Sequence, residues 1–169
     1  MLEAGRLKLT PEPCAVSDLL RDAMRQLESR AKERGLSLSV EFRGEIPDRA
    51  ILDAARVKQI VVAMLGHAFA ASTGTTVRVA IDLSMTDRWQ CPLLRCEVVY
   101  RGPSPWDPGV GAPFEPFGRS PWALQLLLAR QLALRMGGDL AQGTADEGEV
   151  SMCATVEAGD LSRARMVQV

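Results

Sequence analysis

The stretch from Asp53 to Ser84, DAARVKQIVVAMLGHAFAASTGTTVRVAIDLS, changes its hydrophobic period once, and that change decides how the chain folds. Val57, Ile60, Val61, Met64, Leu65 and Ala68 recur at helical spacing behind Asp53, whose carboxylate can cap a helix N-terminus. The pattern stops before Thr73-Gly74. Val77, Val79, Ile81 and Leu83 then alternate with other residues, which is the signature of a strand with one buried face.

Working outward, the same two periods alternate along the chain. Leu7 and Leu9 suggest a short strand ending where Pro11 and Pro13 interrupt pairing. Val16, Leu19, Leu20, Ala23, Met24, Leu27 and Ala31 predict a helix over 15–34, stopped by Gly35 after basic Lys32 and Arg34. Leu36, Leu38, Val40 and Phe42 predict a strand over 36–42, followed by a loop with Gly44 and Pro47. Further strands are read from Leu94, Cys96, Val98 and Tyr100, and from Val150, Met152, Ala154 and Val156. Residues 102–120 hold five prolines and four glycines and read as a long loop. An unusually apolar helix runs from Pro121 through Leu124, Leu127, Leu128, Leu132 and Met136 to Gly137-Gly138. A short strand and a turn at Asp146-Glu147-Gly148 fill 139–148, and the residues after Gly159 read as a tail. Three helices and five or six strands in mixed order predict an α+β two-layer sandwich, with the helices on one face of a mixed, mostly antiparallel sheet.

Composition narrows the function. The 169 residues are one domain's worth, and 47% hydrophobic against 24% charged residues excludes a disordered chain. Twenty basic against 21 acidic residues, without a long basic cluster, leaves no electrostatic footprint for nucleic acid. No apolar run reaches the roughly 18 residues of a membrane span and no secretory pattern opens the chain, so it reads as cytoplasmic with no direct membrane contact. Cys14, Cys91, Cys96 and Cys153 match no zinc template and lie far from the single His67, so reduced thiols and no metal site are expected.

Several motifs in order are specific. Leu2-Glu3-Ala4-Gly5-Arg6-Leu7, Asp53-Ala54-Ala55-Arg56 with Gln59, Phe114-Glu115-Pro116-Phe117, and Arg130-Gln131-Leu132 before Met136-Gly137-Gly138 run in sequence. Together they resemble the C-terminal ATP-binding domain (Bergerat fold) of sensor histidine kinases. By that resemblance, 1–10 are the linker and first strand after a dimerisation bundle absent from this chain, 11–159 the ATPase-like domain, and 160–169 a tail.

The resemblance also implies where a nucleotide would be held, and those positions depart from the family pattern. The family's two asparagines and lysine, which serve magnesium and phosphate, fall on Ala63, His67 and Ala70. Alanine has no side-chain donor or ligand atom. The aspartate that reads adenine in the first glycine box is replaced at Tyr100, before Arg101-Gly102-Pro103. The glycines of the second box fall on Pro121, Ala123 and Gln125, with Trp122 between, where a proline lacks an N–H and side chains crowd the backbone. Hydrogen bonds to charged groups are worth about 1.5–3 kcal/mol each, so losing three or four costs roughly 6 kcal/mol, or about four decades of affinity. From an ordinary nucleotide KM of roughly 10–100 μM, affinity falls to ~100 mM.

The expectation is a degenerate domain serving as a regulatory or protein-interaction module in phosphorelay signalling, with no catalytic residue and no cofactor. Its partners would be a response regulator, a partner kinase or its own dimerisation bundle. The alternative is a kinase domain with an atypical site for ATP and magnesium. His67 as a substitute ligand or phosphate acceptor finds no carboxylate at 63, 64, 70 or 71, and a structural histidine is the simpler reading. Glu115 could be a base or a lid anchor. Trp106, Phe114, Phe117 and Trp122 could dock a partner or fold into the vacated pocket.

Overall fold

The computed structural model describes residues 8–84, 92–104, 121–159, 161 and 165–167. Helix α1 (Val16–Glu33), α2 (Ala54–Ala71) and α3 (Pro121–Arg135) lie on one face of a five-stranded sheet. The sheet contains β2 (Ser37–Phe42), β5 (Thr76–Ser84), β6 (Leu93–Arg101), β7 (Asp139–Gln142) and β8 (Glu149–Glu157), in the order β2-β5-β6-β8-β7. Only β2 and β5 run parallel; the other neighbours are antiparallel. The expected two-layer α+β sandwich is therefore present.

The core is built by the two predicted periods. Val77, Val79 and Ile81 of β5 point at the helices and are fully buried, as are Val98 and Tyr100 of β6 and Met152 of β8. Helix α2 is buried at ten positions and packs against both α1 and α3. Arg78 and Asp82, Arg95 and Glu97, and Glu149 alternate onto the other face, where they pair with one another. Arg78 Nη2 lies 2.7 Å from Glu149, and Arg95 bridges Asp82 at 3.6 Å and Glu97 at 3.0 Å. Arg43 reaches Glu97 at 3.6 Å, so this sheet face needs no second layer to cover it.

Helices α1 and α3 end alike. Gly35 and Gly137 adopt positive φ, and the next residue's N–H turns back: Leu36 to the Ala31 carbonyl at 2.8 Å, Gly138 to that of Ala133 at 2.9 Å. At Gly138 a side chain would run into the Thr155 carbonyl of β8, whereas nothing lies near Gly35.

Three expectations are revised. The first strand is β1 (Glu12–Ala15), beyond the described part of the predicted 7–9 segment, and it runs through Pro13. Proline is tolerated because β1 and β4 (Arg49–Leu52) form only a two-stranded ribbon, in which each strand has a free edge. The loop after 42 contains β3 (Ile46–Pro47) as well as β4. Within the segment read as a tail, β9 (Met166–Val167) pairs with β3, a contact across more than a hundred residues that local pattern does not reveal. Of the segment 102–120 read as a long loop, residues 105–120 lie outside the described residues.

Gly138→Ala is expected to cost about 2–4 kcal/mol in urea unfolding, because a Cβ there meets backbone that cannot give way. Gly35→Ala, strained only by its φ, should cost about 1 kcal/mol. Equal costs would contradict the packing at Thr155.

Candidate functional site

Asp53 is the N-cap of α2. Its Oδ1 accepts from the Arg56 N–H at 3.3 Å, while Oδ2 accepts from the Thr10 N–H at 2.9 Å, tying the segment before β1 to the start of α2. Arg56 Nη1 donates to Gln59 Oε1 at 3.1 Å, so the Asp53, Arg56 and Gln59 of the motif act together in starting this helix. The capped helix carries Ala63 and His67 inward, 3% and 5% exposed; Ala70 is exposed.

His67 meets Tyr100 at the end of β6. The rings stand edge to face with centroids 5.9 Å apart, and His67 Nε2 lies 3.2 Å from Tyr100 Oη. Tyr100 donates its one hydroxyl proton to the Pro103 carbonyl at 2.8 Å. The hydroxyl therefore accepts from the histidine, and Nε2 carries the imidazole proton. Nδ1 is buried and has no hydrogen-bond partner among the described residues. Burial pushes the His67 pKa down to about 4, so the ring is neutral at pH 7.

Beyond Tyr100 the chain is held against the end of α2. The Thr73 N–H donates to the Arg101 carbonyl at 2.8 Å, and a side chain at Gly102 would strike the Ala71 carbonyl. Tight passage of β6 past the helix C-terminus accounts for a glycine with φ of 155° here.

Of the residues singled out in the sequence, Ala63 and His67 on α2 and Tyr100 and Gly102 on β6 and its exit belong to this α2–β6 region. Pro121, Trp122 and Ala123 open α3, and Gln125 is exposed on its second turn. Trp106, Phe114, Glu115 and Phe117 lie outside the described residues, as does Cys91. The sequence reading separated His67 from Tyr100 and missed the Pro103 carbonyl, because 33 residues divide the two rings and a backbone acceptor leaves no compositional trace.

Other chemistry is sparse. Among the described residues no group of three or more His, Cys, Asp or Glu side chains could hold a metal. Cys14, Cys96 and Cys153 are free, and burial raises all three thiols, Cys96 to about 12, which disfavours a thiolate nucleophile. No described helix is long and apolar enough to cross a membrane.

The single histidine makes its titration unambiguous. NMR should place the imidazole midpoint near 4, not 6.5. The unfolded chain takes up the proton more readily than the folded one. His67 thus contributes stability that is whole above about pH 6.5 and falls away as pH drops through about 4, roughly 3 kcal/mol in all. Urea unfolding should show wild type losing more stability than His67→Phe across that window; parallel profiles would refute the burial effect.

No protein-family profile matches the chain. The signal transduction histidine-protein kinase BarA of Escherichia coli K12 is 23% identical over 156 residues, covering 83% of this chain and 16% of BarA. Histidine kinase 2 of Arabidopsis thaliana is 28% identical over 92 residues, 54% of this chain and 8% of that protein. The chain thus spans a small part of the curated relatives it matches. The catalytic domain of histidine kinase ThkA superposes with a TM-score of 0.70 at 18% identity, covering 89% of this chain and 97% of that domain. Full-length ShkA, solved in complex with AMPPNP, gives 0.70 at 22% identity over 93% of this chain and 34% of that one. The mycobacterial sensor histidine kinase MprB gives 0.68 at 20% identity over 89% and 99%. The expected resemblance holds in sequence and in structure alike: this chain has the fold of the ATP-binding catalytic domain of histidine kinases.

Proposed function

We propose that this chain is a histidine-kinase ATPase-type domain of two-component signalling that has exchanged nucleotide binding for a regulatory, protein-contacting role. One observation carries the reading: at the α2–β6 region the His67 Nε2 and the Tyr100 hydroxyl are bonded to each other and to backbone instead of facing a ligand, and only Nδ1 has no partner among the described residues. His67 donates to Tyr100, and Tyr100 donates to Pro103. Ala63, one helical turn before His67, is buried and offers no heteroatom.

Magnesium and a triphosphate fit these residues poorly. A divalent cation of this kind takes oxygen ligands, and a neutral imidazole already committed through Nε2 to a tyrosine is not one. Pro121 removes a backbone donor from the start of α3, where the fold family would hold phosphate. Such a domain acts by contact, with a response regulator, a partner kinase or a dimerisation bundle in the cytoplasm as the fitting counterparts. The parent would relay or regulate phosphoryl transfer without this domain making the phosphoryl group.

Thermal unfolding with millimolar Mg-ATP is the direct test. A ligand at 100 times its Kd adds about 2.7 kcal/mol, which moves Tm by roughly 5–10 °C for a domain of this size. The expected result is no shift with or without magnesium. A magnesium-dependent rise would favour an ATP-dependent kinase domain with an atypical site.

A further inference from the structure

Strand β2 lies at one end of the five-stranded sheet, with β5 on one side and no strand on the other among the described residues. Its pairing fixes which backbone groups are left over. The Ser37 N–H bonds the Thr75 carbonyl and the Arg43 N–H bonds that of Ile81, each at 2.8 Å. In a parallel pair the N–H and C=O of one residue point the same way, and successive residues alternate. The N–H and C=O groups of Leu38, Val40 and Phe42 therefore point away from β5, along the open edge.

The usual protections of an edge are few here: Glu41 alone carries a charge, on the face away from the helices and paired with Arg43 at 3.3 Å. No proline, lysine or inward-pointing charge interrupts Ser37–Phe42. The side chains of Leu38, Val40 and Phe42 face the helix layer, yet Val40 is 40% exposed, because α1 covers this strand incompletely. Between β2 and α1 runs a groove of about 400 Å³, floored by Met24, Leu38, Val40 and Phe42. Arg21 and Arg25, both exposed on α1, stand along it with no ion-pair partner among the described residues. The one acid in its lining, Glu28, already pairs with Lys32 at 3.5 Å.

We infer that this edge and groove form a docking site for an extended acidic–apolar segment of a partner protein, which adds to the sheet as a sixth strand beside β2. Its backbone would pair with Leu38, Val40 and Phe42; among the side chains it turns toward the helix layer, every second residue, apolar ones would fill the groove and carboxylates would meet Arg21 and Arg25. Charge argues against a second copy of this chain, since a symmetric β2–β2 pairing brings the arginines of both copies to one interface. The surface is built by α1 and β2, not by α2, β6 and α3, so it does not depend on whether nucleotide binds.

The test uses the full chain and two synthetic nine-residue peptides, one Glu-Thr-Val-Thr-Ile-Thr-Val-Thr-Glu, in which acidic and apolar side chains share one face of the strand, the other carrying Lys at each acidic position. Fluorescence anisotropy should show saturable binding of the acidic peptide and at least tenfold weaker binding of the lysine peptide. Amide exchange at Leu38, Val40 and Phe42 should slow on binding. Arg21→Glu with Arg25→Glu should weaken the acidic peptide tenfold or more. Val40→Pro, which removes an outward N–H and an apolar side chain of the groove floor but no hydrogen bond to β5, should do so while leaving Tm within a few degrees. No binding at millimolar peptide, equal binding of both peptides, or protection confined to α1 would overturn the assignment. So would sedimentation showing that the free chain dimerises and that Val40→Pro abolishes the dimer, because a second copy would then be the occupant.

Discussion

Helix α2 has to be covered on nearly every side. Ten of its eighteen residues are buried, and its apolar positions are not confined to one stripe, so a single neighbour could not shield it from water. The rest of the domain supplies that cover: α1 along one flank, α3 along another, and β6 and β8 beneath. At about 25 cal/mol per Å² of apolar surface, a helix covered from several directions contributes far more than a surface helix of equal length. The start of α2 is fixed by Asp53, which also holds the chain before α1, and its end is pinned where Thr73 meets Arg101.

The same burial sets the character of the α2–β6 region. A polar group on the buried part of α2 must find a partner within the protein or go unpaired. His67 does so through Tyr100, and the tyrosine passes the demand on to a backbone carbonyl beyond the strand. One demand is left unmet at Nδ1, and burial keeps the ring neutral. In this arrangement α2 and the end of β6 are bonded directly to each other. That direct link underlies our reading of the domain as a contacting module.

Much of the fold was legible because its signals are local. The helical stripe from Val57 to Ala68 and the alternation from Val77 to Leu83 each report a buried face within a few residues, and α1, α2 and α3 fall within one or two residues of their expected limits. What could not be read depends on contacts distant in sequence. Pro13 argued against a strand until β4 was seen to leave it on a free edge, and β9 has meaning only beside β3. The site followed the same division. The substitutions at Ala63, His67 and Tyr100 were visible one by one, whereas the bond between His67 and Tyr100, and its continuation to the Pro103 carbonyl, required the fold. The open edge of β2 was hidden for a related reason: alternation shows that a strand has two faces but is silent on its neighbours.

The outer face of the sheet has a bearing on how the molecule is approached in solution. Arg43, Arg78 and Arg95 sit among Glu41, Asp82, Glu97 and Glu149, opposite signs beside one another. A mosaic of that kind cancels its own field within about one Debye length, roughly 8 Å at physiological ionic strength. An incoming macromolecule therefore feels little pull toward that broad surface. Long-range steering falls instead to whichever charges stand uncompensated on the domain's perimeter, so the direction of first encounter is set by the smaller features and not by the largest one.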